Sequence, residues 1–137
     1  MIVATCALFP MALGCSDKGY EVAEVEGVLL VDGKPGHKML IEFIPDIDQG
    51  TKGPISTAQT DKEGRFALAL VEGPGATTQK GAVVGQHRVT LSDLRMAESA
   101  TGVGVPIRIP PDYSMPGSTP LTQVVQPGRQ SVTIEVP

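Results

Sequence analysis

Tryptophan does not occur in this chain of 137 residues, and three phenylalanines and two tyrosines are its whole aromatic complement. Any core must therefore be mainly aliphatic, and a sugar-stacking face of several aromatics is short of material. Both cysteines, Cys6 and Cys15, fall within the first fifteen positions. The remainder has neither a disulfide nor a thiolate metal site. Runs of Lys or Arg are missing, and the formal charge is −4. That excludes the basic patch a nucleic-acid partner requires and gives no basis for attraction to anionic lipid. What the chain has in quantity is punctuation. Sixteen glycines and twelve prolines point to short strands and many turns in one domain of moderate core.

The organising stretch runs from Thr60 through Asp61-Lys62-Glu63-Gly64 to Arg65-Phe66-Ala67-Leu68-Ala69-Leu70. Asp61 is suited to accept hydrogen bonds from backbone N–H groups a few residues on, and Gly64 to take a positive φ. Phe66, Leu68 and Leu70 then alternate as a half-buried strand does. Val31-Asp32-Gly33-Lys34-Pro35 repeats this grammar about thirty residues upstream, with Asp32-Gly33 as a hairpin signal. Asp32, Gly33, Asp61 and Gly64 are thus the expected structural turn residues.

Residues 1–14 carry no charge and are mostly apolar, too short to cross a bilayer, which needs about 20 apolar residues, but suited to a secretory signal. They lead into Ala12-Leu13-Gly14-Cys15-Ser16, which resembles a bacterial lipobox, with Ala12 where leucine is preferred. Cys15 is accordingly the expected lipidation site. No basic residue precedes the apolar run, which leaves a start upstream of Met1 open. The alternative, a buried first strand ending at a structural cysteine, is disfavoured by Pro10 and Gly14. Residues 15–24 read as a polar tether of about 30 Å when extended, and residues 25–137 as the folded domain.

Within that domain the period is two. Val25, Gly27, Leu29 and Val31 share a face, as do Met39, Ile41 and Phe43, then His87, Val89 and Leu91, and finally Val132, Ile134 and Val136. Residues 55–60 and 121–126 complete the strands, residues 107–120 read as a proline-punctuated extended stretch, and residues 71–82 and 92–106 read as loops, the second of them mobile. The sum is an all-β, seven-stranded sandwich of the immunoglobulin-like kind.

Several segments follow one another in a familiar order: Val25-x-Gly27-x-Leu29, Val31-Asp32-Gly33-Lys34-Pro35, Ile41-Glu42-Phe43-Ile44-Pro45, Thr60-Asp61-x-x-Gly64-Arg65-Phe66 and Gly85-x-His87-Arg88-Val89-Thr90-Leu91. With Tyr113-Ser114, Thr119-Pro120-Leu121-Thr122 and Pro127-Gly128, the series resembles bacterial carboxypeptidase-regulatory-like (transthyretin-like, prealbumin-like) lipoproteins. The resemblance implies a transthyretin-like sandwich on an exported, lipid-anchored envelope protein, facing the periplasm or on the outer membrane. It carries no catalytic residues.

A transthyretin-like hydrolase ending in Tyr-Arg-Gly-Ser does not fit the ending Ile134-Glu135-Val136-Pro137. Tyr20, Tyr113, His37 and His87 match the ligand count of a non-haem iron dioxygenase, but the histidines lie fifty positions apart and iron needs convergence. Asp46-Ile47-Asp48-Gln49-Gly50 lacks the closing acidic ligand of a calcium loop. Asp61 and Glu63 read as turn formers, His37 as solvent-facing and His87 as a core or rim residue. Ser92 and Asp93 near His87 suggest a hydrolase only if His87, Asp93 and an arginine converge. The reading that follows is a non-enzymatic module with no catalytic residue, metal or cofactor. Its partners are the membrane, through the lipid, and an envelope protein or polysaccharide, with no nucleic acid. A carbohydrate- or peptide-binding module is the alternative, and a hydrolase of unknown type the third.

Overall fold

The computed structural model describes residues 19–71, 78–101 and 103–137, and these form a mostly β architecture. Strands β1 (Val22–Ala23), β2 (Val25–Val31), β3 (Lys34–Pro35), β4 (Met39–Pro45), β5 (Ser56–Gln59) and β6 (Arg65–Ala67) come first. They are followed by β7 (Ala69–Leu70), β8 (Ala82–Val83), β9 (Gly85–Asp93), β10 (Thr122–Val125) and β11 (Gln130–Val136). The helix α1 (Leu94–Glu98) follows β9, and 3-10 turns occupy Ile47–Gln49 and Pro111–Ser114.

One sheet has the order β10-β9-β4-β5-β7, and the second has β11-β2-β3 with β6 also on β2. All pairings are antiparallel except β11 with β2, which run parallel from Gln130↔Val25 to Val136↔Val31. The two inner faces share one core. Leu29, Met39, Ile41, Phe43 and Leu91 are fully buried there, with Phe66, Val89, Ile134 and Val136 close to it. Period-two patterning put apolar side chains on these inward positions, and their removal from water is the main stabilising term.

Phe66, Leu68 and Leu70 are all buried, yet they do not belong to one continuous strand. β6 pairs with β2 and β7 with β5, so the chain changes sheets at Leu68. Leu68 serves both sides: its N–H donates to Val25 and its carbonyl accepts from Gly81. The ring of Phe66 lies over Gly27, whose missing side chain leaves the space.

At the first turn, Asp32 and Gly33 both have positive φ (53° and 73°) between paired Val31 and Lys34. That is the backbone of a type I′ hairpin, whose twist matches the strands it joins. At the second, Asp61 Oδ1 accepts from the N–H groups of Glu63 (3.0 Å) and Arg65 (2.8 Å). Gly64 has φ 74° and backs onto β2, where the Leu29 N–H donates to its carbonyl at 2.8 Å.

Four sequence expectations need correction. Val22 and Ala23, assigned to the tether, form β1 against β8, and Ala23 is buried. The proposed loop 71–82 ends in β8, with Ala82 fully buried, while its middle lies outside the described residues. Residues 92–106 begin as the end of β9 and continue into α1. The extended stretch 107–120 contains the 3-10 turn Pro111–Ser114, opened by a proline at its first position. In each case a local pairing or cap outweighed a composition that reads as loop. Cys15 and residues 1–14 lie outside the described residues.

Candidate functional site: a charged cleft at the end of strand β9

β9 ends at Asp93, which caps α1: its carboxylate accepts from the Arg95 N–H at 3.0 Å. The Arg95 side chain folds back onto the same carboxylate, with Nη2 at 2.8 Å from Oδ2. Arg108, thirteen positions farther along, approaches from the extended segment and makes a two-pronged contact, Nε to Oδ2 at 2.9 Å and Nη2 to Oδ1 at 2.8 Å. Two guanidinium groups therefore share one carboxylate whose side chain is only 7% exposed. Burial by itself raises the Asp93 carboxyl. The hydrogen bonds from Arg108, then those from Arg95, outweigh it and hold the group well below the usual carboxylate range. The Asp93 bond in turn raises Arg95. Arg108 Nη1 is left facing His37 Nδ1 at 3.5 Å, and Arg95 Nη2 also reaches the Pro106 carbonyl at 3.1 Å. An exposed Lys38–Glu98 pair, 2.9 Å apart, ties α1 to the start of β4.

Beside this cluster lies a cleft of about 320 Å³, walled by Leu91, Met96, Ile107, Ile109, Pro110 and Arg108. That is near the lower end of the roughly 300–1,000 Å³ common for ligand sites. Ile107 is 76% exposed at its rim and Met96 is also exposed, whereas Ile109 turns inward and is buried. Arg108, between the two isoleucines, turns to Asp93, with its side chain 15% exposed.

The strand edge beside the cleft has a distinctive pattern. Odd-numbered residues of β9 direct their backbone groups toward β10: the Val89 N–H donates to Leu121, and Thr119 Oγ1 donates to the Val89 carbonyl. Even-numbered ones face β4, and beyond the strand end the Leu94 N–H continues that side by donating to Lys38. β10 starts only at Thr122 and pairs with β9 no farther than Arg88. Pro120, which has no N–H, precedes it. Leu91 and Asp93, two and four residues beyond Val89, turn toward the side that β10 leaves; there the 3-10 turn Pro111–Ser114 packs against β9, Leu91 is fully buried, and the Asp93 carbonyl serves the first turn of α1.

The other candidate residues are dispersed. His87 is fully buried at the opposite end of β9, its ring centroid 5.7 Å from that of Phe43. Its Nδ1 meets the Gly85 carbonyl at 3.0 Å and its Nε2 has no hydrogen-bond partner. Burial lowers its pKa, and the Gly85 bond offsets this only in part. Six residues of strand, about 20 Å, separate His87 from Asp93. The arginines therefore converge on Asp93 without His87, and Ser92, Asp93 and His87 form no hydrolytic triad. Asp46 caps the turn Ile47–Gln49, accepting from the Asp48 N–H, and faces Arg88 Nε at 3.5 Å. Among the described residues no three His, Cys, Asp or Glu side chains group as metal ligands; His37, beside Arg108 at the Asp93 end, and His87, beside Phe43 at the other, lie at opposite ends of β9, so Tyr20, Tyr113, His37 and His87 do not converge on one iron.

Arg108 is the residue of this cleft that sequence reasoning passed over. Its only cue was a lone charge between two isoleucines in an extended segment, and no periodicity links position 108 to position 93. No known protein family, curated protein or solved structure matches the chain.

Proposed function

We propose that this chain is a non-enzymatic interaction module of the cell envelope, an immunoglobulin-like or transthyretin-like sandwich held to a membrane by lipid on Cys15. Its partner is a protein. The reading rests chiefly on the cleft at the end of β9, where exposed Ile107 and Met96 border a half-buried guanidinium group. Exposed apolar side chains gathered at a concave site are what protein-binding surfaces offer. The resemblance to carboxypeptidase-regulatory-like lipoproteins supports the sandwich type and the exported location. The uncharged, mostly apolar residues 1–12 ahead of Leu13-Gly14-Cys15 support the anchor. Two or three acyl chains would hold the domain firmly, since each buried methylene contributes about 0.8 kcal/mol.

Two measurements test the two halves of this reading. Cys15→Ser, expressed beside the natural sequence and labelled with a lipid precursor, should give an unlabelled, unprocessed chain that still folds. Equal labelling of both forms, or of neither, removes the anchor. A photocrosslinker at Ile107, in intact envelopes, should give a discrete protein adduct that the same probe at Lys62, on the exposed turn, does not give. Identical adducts from both positions, or none from Ile107, remove the cleft as the interaction site.

A further inference from the structure

Strand β11 carries a second surface, separate from the cleft, and we infer that it pairs edge to edge with β11 of a second copy of this chain in an antiparallel, two-fold dimer. The state of the edge is the first support. β11 pairs with β2 alone, residue for residue from Gln130 to Val136, without a bulge. Its even-numbered residues turn their main chain toward β2: the Gln130 N–H donates to Glu24, and the Val136 carbonyl accepts from Asp32. By the alternation of a strand, Ser131, Thr133 and Glu135 turn theirs the other way. All three residues are exposed, and among the described residues nothing bonds to their main chain on that side.

The other outer strands are short or obstructed. β6 has three residues and β3 two, one of them Pro35. β7 is met on its far side by Gln79 and Lys80, and β10 has four residues bracketed by Pro120 and Pro127. Such devices suppress edge pairing. β11 has seven residues and no proline, glycine or lysine among them. Its start is fixed, because the Gln130 side chain exchanges hydrogen bonds with the main chain of Gln126 at 2.7 and 3.0 Å.

Self-complementarity is the second support, and it selects a copy of this chain as the occupant. A two-fold axis at Val132 sets Val132 against its own copy, Ser131 against Thr133 of the second copy, and Arg129 against its Glu135. Ser131 and Thr133 then exchange main-chain hydrogen bonds on both sides of the axis. Val132 is half-buried and packs on the core, so the axis closes over an apolar pair. Glu135 is exposed. Arg129 is 73% exposed and only 3.5 Å from Glu24, which leaves it able to take a second carboxylate. Opposite charges facing across paired strands are attractive, and symmetry provides the pair twice. An axis at Thr133 instead would set Ser131 against Glu135 and lose this match.

The test co-expresses two differently tagged forms of the intact chain and captures one of them from envelopes solubilised in mild detergent. The second tag should be captured with the first. Thr133→Pro removes an N–H that the fold itself does not use and should abolish co-capture. Glu135→Arg and Arg129→Glu, each alone in both copies, should weaken it about tenfold, and the two together should restore it. The restored double variant also guards against a Thr133→Pro chain that folds poorly. Absence of co-capture in the natural sequence overturns the dimer. Co-capture unaffected by Thr133→Pro moves the contact off β11, and failure of the charge exchange to restore it overturns the antiparallel register. A photocrosslinker at Thr133 that yields adducts only with a different protein overturns the second copy as occupant.

Discussion

The two ends of strand β9 carry the same inward-facing register and opposite chemistry. At its start, His87 sits against Phe43 in the core, with β10 hydrogen-bonded along the strand's outer edge. At its end, six residues on, Asp93 faces two arginines, and β10 is no longer alongside. A polar side chain at the covered end has little besides a backbone carbonyl to bond to, so it is tolerated uncharged. A polar side chain at the end beyond β10 gathers counter-charges from two separate segments and lies beside a cleft. What packs beside each end, rather than residue type, decides the chemistry its side chain meets.

The largest effect should come from the covered end. Phe43→Ala removes a fully buried ring that touches His87 and should cost about 3–5 kcal/mol. Urea unfolding measures it; a loss below about 1 kcal/mol would mean that this end is loosely packed and the contrast false. At the open end, Asp93→Ala leaves two guanidinium groups without their carboxylate. Because both retain some exposure, the expected cost is about 2 kcal/mol, below that of a fully buried pair. An unchanged urea midpoint would show that the cluster does not hold the cleft together.

Acid should separate the two ends. The folded pKa of His87 is lowered from 6.5, so below that value the unfolded chain takes up the proton first. Stability should fall as pH drops below 6.5 and level off once pH passes below the lowered folded value. For Asp93, lowered from 3.8, the contribution is intact above 3.8 and is lost as pH falls below it. His87→Gln should abolish only the first decline and Asp93→Asn only the second, followed by thermal melts across pH. A first decline that survives His87→Gln would place its origin elsewhere. The smallest stability effect belongs to Ile107→Ser, within about 0.5 kcal/mol because the side chain is exposed, although partner crosslinking through the cleft should fall. A large loss of stability would make Ile107 a packing residue and not a docking one.

Much of the sandwich was legible because alternation in residues such as Met39, Ile41 and Phe43 reports which way a strand faces. The change of sheet at Leu68 was not, since Phe66, Leu68 and Leu70 alternate identically whether the strand continues or crosses over. The turn glycines carry a local signal, and Gly33 and Gly64 have the positive φ that such signals denote. The cleft carries none of that kind. Arg108 meets Asp93 only because the chain returns to the end of β9 after α1, and the cleft beside Leu91 depends on where the 3-10 turn Pro111–Ser114 packs. Both are properties of distant segments brought together. Ser92, Asp93 and His87, by contrast, looked close because they share a strand, and an extended strand holds residues six apart far from one another.

The contrast between the ends is tested most directly by amide hydrogen exchange of the intact chain, read residue by residue by NMR. The N–H groups of His87, paired with Gln123, and of Val89, bonded to Leu121 at 3.0 Å, should exchange slowly. The Leu91 N–H, which β10 does not reach and the 3-10 turn Pro111–Ser114 covers, should exchange faster than either, through opening of that turn. Exchange of Leu91 as slow as that of Val89 would show this end held as firmly as the other and would contradict the contrast.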